Sequence, residues 1–214
     1  MAASQMSVFN KALRWLEERS LASLSEQREP VRLLNNEWQD AVQTCLEKDY
    51  WKHAIRESQF SPDVNRTPNF GFLWAFTKPT DWVSTFQVSD NPAYDPLHRR
   101  FTDQNNVWYA DSNPLYVRYV SNDPDYGWNL ALWRAGFTEY VAAYLAWLLA
   151  PRTKQWQQKV DAIEKILRKA EARAIAQDAM QGPPGKPPYG TWVTSRAPRG
   201  GVYPFGMPFP NGDD

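Results

Sequence analysis

The sequence predicts a mainly helical α+β protein, namely an antiparallel helix bundle with a small inserted antiparallel β-subdomain and an extended C-terminal tail. Near both ends of the chain, apolar residues recur at spacings of three and four, as on the buried face of a helix. The middle is interrupted by prolines, which cannot lie inside long helices, and carries short runs rich in β-branched and aromatic residues. The last 33 residues hold eight Pro and seven Gly. The predicted divisions are 1–57 and 122–181 for the bundle, 58–121 for the β-subdomain and 182–214 for the tail.

Two helices are predicted in the N-terminal part. Ser7 is a suitable N-cap for the first, and Phe9 and Leu13 then share one face. Pro30 suits the first turn of the second helix, which is predicted to run to about residues 53–55. The apolar residues of this second helix lie on one side and are Val31, Leu34, Trp38, Ala41, Val42 and Cys45.

Short strands are predicted between the prolines of the middle part. Gln104-Asn105-Asn106 is typical of a hairpin turn, because Asn tolerates a positive φ. Runs of β-branched and aromatic residues on both sides of this turn favour strands. The predicted strands are Phe72–Phe76, Val83–Val88, Leu97–Thr102, Val107–Ala110 and Leu115–Val120.

A third helix is predicted to begin after Asp125 and to end at Pro151. Its wide apolar stripe raises the question of a membrane span, but Arg134 and Glu139 interrupt it. The charge-free run after Glu139 is about a dozen residues, short of the ~20 that a bilayer requires. We therefore expect a buried core helix and no membrane insertion.

A fourth helix is predicted from about Arg152 to Met180, with a narrower apolar stripe and many charges. Most of these charges are interpreted as a solvated face, which is the usual role of such residues. About 28 residues would span about 40 Å, which is longer than a domain of this size needs. The length indicates that one end projects toward a partner.

The Pro- and Gly-rich tail cannot form a core of its own, yet it carries aromatic residues. Aromatic side chains in an extended, Pro-rich segment are typical of chains that dock into grooves of a partner. These aromatic residues are Tyr189, Trp192, Tyr203, Phe205 and Phe209.

Composition excludes several classes of protein. The formal net charge is zero, so the chain as a whole has no nucleic-acid footprint. With Cys45 as its one cysteine, it can form neither an intramolecular disulfide nor a cysteine-based zinc cluster. The N-terminus lacks the apolar segment of a secretion signal, which predicts a cytoplasmic origin. Aromatic residues make up 14% of the chain, and core packing and interface contacts explain this equally well.

No catalytic motif stands out, so we expect a non-enzymatic protein without a cofactor or a metal. The sequence has neither a phosphate-binding glycine loop nor a G-x-S-x-G elbow, and its histidines, His53 and His98, are isolated. The alternative left open is a virion-associated cell-wall hydrolase. Only Glu139, on the mostly apolar third helix, is a candidate acid for it, and an ion pair of Glu139 with Arg134 or another neighbour is the simpler interpretation.

Residues 7–180 resemble the head-to-tail adaptor family of tailed phages, also called the tail tubular protein A family. Four landmarks carry the resemblance, in the order of the family, although Lys78 stands where Leu is common. They are Ala12-Leu13 leading to Leu21 and Leu24, the aromatic box Tyr50-Trp51-Lys52-His53-Ala54, the aromatic run Phe70 to Phe76 followed by Lys78-Pro79-Thr80-Asp81-Trp82, and Val117-Arg118-Tyr119-Val120 followed by the Ala-rich helix Ala142 to Ala150.

The resemblance implies a structural protein of the virion neck, present in the host cytoplasm before assembly. About twelve copies would form a closed ring that contacts the portal protein on one side and the tail tube or nozzle protein on the other. Double-stranded DNA would pass transiently through the channel. Another tail completion or binding module is a further alternative. The contact with the portal would involve the C-terminal helix and tail, through Lys165, Arg168, Lys169, Arg173, Tyr189, Trp192, Tyr203, Phe205 and Phe209.

Overall fold

The computed structural model describes residues 3–68, 70–94, 97, 100–152 and 156–181. The chain divides into two units, Met1–Met180 and Gln181–Asp214. Apart from Gln181, all described residues belong to the first unit. The predicted docking tail, including its five aromatic residues, lies outside the described residues. The predicted division of the chain into bundle, β-subdomain and tail stays a prediction.

The described residues form four α-helices and six β-strands. The helices are α1 (Gln5–Trp15), α2 (Glu29–Glu47), α3 (Ala135–Leu149) and α4 (Trp156–Ala179). The strands are β1 (Ile55–Phe60), β2 (Trp74–Thr77), β3 (Trp82–Ser89), β4 (Phe101–Gln104), β5 (Val107–Ala110) and β6 (Leu115–Ser121). The structure is 40% helical and 20% strand, with two antiparallel sheets. The prediction of a mainly helical bundle is therefore wrong.

Two segments account for most of this error. The second helix ends at Glu47, and the Trp51 indole N–H donates to the carbonyl of Cys45 (2.8 Å) in its last turn. The chain then enters β1, which was not predicted. The third helix begins at Ala135, because the preceding residues form hydrogen-bonded turns that include a Trp133 indole bond to the carbonyl of Gly127 (2.8 Å). In both places an indole bond to a carbonyl six residues earlier accompanies the break in the helical periodicity.

The N-terminus of α1 also differs from its prediction. Ser4, and not Ser7, is the N-cap, with its side chain accepting from the backbone N–H of Ser7. The Ser7 hydroxyl in turn accepts from the backbone N–H of Ser4, which completes a capping box. The predicted apolar face of this helix is confirmed, since Phe9 and Leu13 are buried.

Each sheet has three strands. One has the order β1-β6-β3 and the other the order β2-β5-β4. The predicted hairpin turn is confirmed: Asn105 has a φ of +49°, and β4 pairs with β5 on either side of it. The edge strand β3 carries register shifts between Trp82 and Ser84 and between Thr85 and Gln87, and such bulges hinder pairing with a further strand.

Two apolar cores hold the first unit together. The smaller lies between the two sheets and contains Phe76, Trp108, Leu115, Val117 and Tyr119. The larger joins the helices to one end of the first sheet, where it reaches Val83 and Val120. At its centre the ring of Trp38 packs against Phe9 of α1, Trp128 and Trp133, with centroid distances of 5.4, 6.2 and 5.9 Å. Trp38, Trp108, Trp128 and Trp133 therefore contribute to the packing of the cores.

Helices α3 and α4 approach each other closely at Gly136. A Cβ added there would lie 2.3 Å from the side-chain oxygen of Gln177 and 3.1 Å from the Cα of Ala174. This approach fixes the position of α4 relative to α3. It also places Glu139, one turn beyond Gly136, beside Arg173.

Candidate functional site

The four basic residues predicted on the fourth helix lie together on one exposed side of α4. All four are exposed, whereas the buried residues of the helix include Ile163, Ala170 and Ala174. At 1.5 Å per residue the basic stripe is about 12 Å long. We call this set the basic stripe, and its members are Lys165, Arg168, Lys169 and Arg173.

Two members of the basic stripe already have acidic partners. Arg168 pairs with Glu164 on the same helix, and Arg173 lies 3.5 Å from the carboxylate of Glu139 on α3. Within the described part of the chain, Lys165 and Lys169 form no ion pair. The stripe therefore retains positive charge that is exposed to solvent.

A pocket of about 290 Å³ lies where α1 packs against α3. Its described lining consists of Lys11, Arg14 and Trp15 from α1 and Glu139 from α3. Because Glu139 is also the partner of Arg173, the pocket lies next to the end of the basic stripe. The sequence analysis did not identify Lys11 and Arg14, because on α1 alone they are ordinary surface residues. Only the packing of α1 on α3 places them in a pocket with Glu139.

A second open groove, of about 590 Å³, lies at one end of the β2-β5-β4 sheet. Apolar residues in or next to this groove are exposed to solvent: Phe70 is 45% exposed, Leu73 68% and the following residue, Trp74, 40%. We call Phe70, Phe72, Leu73 and Trp74 the aromatic patch. The sequence predicted a strand over Phe72–Phe76, whereas the structure begins the strand at Trp74 and leaves the two preceding residues in a loop.

Polar bonds hold the loop of the aromatic patch in place. The Arg100 guanidinium donates to the carbonyl of Gly71 (3.0 Å) and pairs with Asp111 (3.2 Å). The same carboxylate accepts from the backbone N–H of Leu73 (3.0 Å). The ring of Phe70 packs on that of Tyr109, with centroids 4.9 Å apart. The apolar surface is therefore presented by a loop with several defined contacts.

Lys78 lies between the two sheets with a side chain that is 0% exposed. Its ammonium group donates to the Asp103 carboxylate and to the carbonyl of Asn105 (2.9 Å), and it lies 3.4 Å from the centroid of the Trp82 ring. The Thr85 hydroxyl donates to the other oxygen of Asp103 (2.6 Å). The bond from Thr85 of β3 to Asp103 of β4, and the contact of Lys78 with Trp82 of β3, connect the two sheets.

Burial shifts the pKa values of two side chains, His53 and Cys45, toward their uncharged forms. Burial lowers the pKa of His53 to about 4, and its ring packs on that of Phe137 (4.7 Å). Its Nε2 atom has no hydrogen-bond partner among the residues that the structure describes. Burial also raises the pKa of Cys45, which favours the unreactive thiol. The other histidine, His98, lies outside the described residues. Within the described ranges, no three His, Cys, Asp or Glu side chains are grouped so as to hold a metal ion.

Folding stability is expected to fall by about 2 kcal/mol between pH 7 and pH 5 because of His53. Its pKa is about 4 when folded and near 6.5 when exposed, so unfolding takes up a proton as the pH falls through this window. Asp178, whose pKa burial raises, binds its proton more tightly in the folded state and acts in the opposite sense. Urea unfolding of His53→Phe and of the native chain at both pH values isolates the histidine. Equal pH slopes in the two proteins would refute the prediction.

Glu139, the candidate acid of the hydrolase alternative, is half-buried and paired with Arg173. The predicted ion pair with a neighbour is thus confirmed, although the partner is on α4. The described lining of its pocket contains no second carboxylate. Paired-carboxylate hydrolysis needs two acidic groups across the scissile bond, so this arrangement offers the hydrolase alternative no support.

A search of the described helices finds none that is both long enough and apolar enough to cross a membrane. Comparison of the sequence with models of known protein families and with curated proteins gives no match. The resemblance to the adaptor family is therefore still a prediction. What the structure offers directly is an exposed aromatic patch, a basic stripe and a pocket lined by cations.

Proposed function

We propose that this chain is a structural subunit of a phage virion, a head-to-tail adaptor that acts as one copy in a ring. In this proposal the ring lies at the neck of the virion, between the portal protein and the tail tube or nozzle protein. About twelve copies surround a channel through which double-stranded DNA passes, as in closed rings built from a repeated heterologous contact. The protein has no catalytic role, and it is present in the host cytoplasm before assembly.

The exposed aromatic patch is the observation that carries this proposal. Phe70, Leu73 and Trp74 present apolar side chains to solvent from a loop that Arg100 and Asp111 hold in place. Clustered apolar exposure of this kind marks a protein–protein contact, and large aromatic residues are enriched at such contacts. We assign the patch to the boundary with the neighbouring copy of the ring.

The basic stripe on α4 supports the second half of the proposal. A ring subunit needs surfaces for its partners above and below as well as for its neighbours. The stripe lies on an exposed side of α4, and α4 is the last helix before the proposed docking tail. We assign Lys165, Arg168, Lys169 and Arg173 to the contact with the portal protein.

Assembly with the portal protein tests the proposal. We expect the purified chain to be monomeric or weakly associated by itself and to form rings when the portal protein of the same virus is added. Leu73→Asp is expected to block ring formation because it places a charge in the patch, whereas the fold should tolerate it at this exposed position. Leu132→Asp is the matched control, since Leu132 is 49% exposed and lies outside the patch.

Size-exclusion chromatography with light scattering distinguishes the outcomes. Rings formed by the native chain and by Leu132→Asp, but not by Leu73→Asp, would support the proposal. Rings formed equally by Leu73→Asp would exclude the patch as the subunit boundary. A native chain that stays monomeric and unbound in the presence of the portal would contradict the adaptor function itself.

A further inference from the structure

The pocket between α1 and α3 contains more positive charge than its surroundings neutralise. Lys11 and Arg14 line it and make no ion pair with any described residue. Glu139 is the one carboxylate of the described lining, and Arg173 already pairs with it at 3.5 Å. Among the described residues, Lys11 and Arg14 therefore have no anionic partner in this pocket.

We infer that this pocket binds an acidic side chain from a segment of a partner protein. An arginine guanidinium matches a carboxylate with two parallel hydrogen bonds, and a lysine ammonium adds a point charge beside it. Trp15, the remaining wall, is suited to pack against the methylene stem of a glutamate. With the carboxylate between Lys11 and Arg14, and Glu139 still on Arg173, the charged groups of the pocket are all paired.

The shape and charge of the pocket favour an acidic peptide over nucleic acid. A cavity of about 290 Å³ accommodates one side chain, whereas duplex DNA presents a continuous row of phosphates that requires a long basic surface. The formal net charge of zero gives the chain as a whole no nucleic-acid footprint.

This inference goes beyond the adaptor proposal, because it specifies the chemistry of a bound segment and does not require a ring. It can be tested on the isolated full-length chain. Failure of one proposal would leave the other standing, since ring formation is measured with the portal protein and pocket occupancy without it.

Fluorescence anisotropy with a labelled polyglutamate peptide at low ionic strength is the direct test. Arg14→Gln is expected to weaken binding about tenfold, since one charge-assisted hydrogen-bonding group is lost from the pocket. Arg32→Gln is the matched control, because Arg32 is an exposed arginine of α2 outside the pocket lining. Glu139→Gln is expected to act in the opposite direction and strengthen binding, because it removes the negative charge of the pocket.

Circular dichroism and thermal unfolding establish that each variant is folded. Opposite effects of Arg14→Gln and Glu139→Gln, with Arg32→Gln unchanged, would support the pocket as the binding site. No binding of the peptide, or equal weakening by Arg14→Gln and Arg32→Gln, would overturn it. Tighter binding of a labelled DNA duplex than of the peptide would also overturn it and would indicate a phosphate-binding surface.

Discussion

Replacing Trp51 with alanine is expected to lower the free energy of unfolding by about 3 to 5 kcal/mol, the range for removing a large aromatic side chain from a core. Trp51 is 1% exposed, and its ring packs against Phe137 (4.8 Å) and Tyr140 (6.1 Å) of α3. Its indole N–H also donates to the carbonyl of Cys45 near the end of α2. The substitution therefore leaves a cavity and a buried carbonyl without its partner.

Trp74→Ala provides the matched control for this prediction. Trp74 belongs to the aromatic patch and is 40% exposed, so the same substitution removes much less buried area. We expect its loss of stability to be less than half that of Trp51→Ala, as measured by urea unfolding of the chain without partners. Equal losses would show that the core between α2 and α3 is not organised around Trp51.

Replacing Lys78 with methionine is expected to cost about 3 kcal/mol, because it leaves the Asp103 carboxylate without its cation between the two sheets. Lys78 is fully buried, whereas the side chain of Asp103 is 31% exposed. Partial solvation of this carboxylate places the expected cost at the lower end of the range for breaking buried ion pairs. The lost contact of the ammonium group with the Trp82 ring adds to it.

The matched lysine is Lys48, which pairs with Glu171 at 3.0 Å but is 51% exposed. Lys48→Met is expected to change the free energy of unfolding by less than about 1 kcal/mol, as for other surface ion pairs. A double-mutant cycle of Lys78→Met with Asp103→Leu should show coupling, so that the double variant loses less than the sum of the two single variants. Additive losses would mean that the two residues act independently of each other.

Local sequence patterns predicted the buried faces of the first two helices and the hairpin between β4 and β5. The apolar faces of α1 and α2 are buried as expected, including Phe9, Leu13 and Trp38. The hairpin around Asn105 followed from the backbone preference of Asn, and β5 has the predicted bounds. In each case one short stretch of sequence contains the whole signal.

Elements that depend on distant partners were not predictable in the same way. Strand β1 has the sequence IRESQF, whose half-exposed, charged pattern gives no clear strand signal, and it is held by pairing with β6. The start of α3 at Ala135 follows a set of turns that includes the indole bond from Trp133 to Gly127, a bond between residues six positions apart. The prediction of a helical bundle failed because both effects shorten helices that periodicity had extended.

The candidate site also depends on contacts between elements that the sequence does not show. The basic residues of α4 were named because the adaptor resemblance implies a portal contact through the C-terminal helix, and they are exposed on one side of α4. The cation-lined pocket could not be predicted, because Lys11 and Arg14 come from α1 and Glu139 from α3, and their separation in sequence contains no motif. The aromatic patch was visible in the sequence only as an aromatic run, and exposure distinguished it from the core.

Electron microscopy of the full-length chain mixed with the portal protein of its virus tests the central claim most directly. That claim is that the chain covers its exposed apolar surface only through contacts with other chains. The adaptor account predicts a closed ring of copies on the portal, with Phe70, Leu73 and Trp74 covered at each subunit boundary. Single copies, or a ring in which these side chains still face solvent, would contradict it.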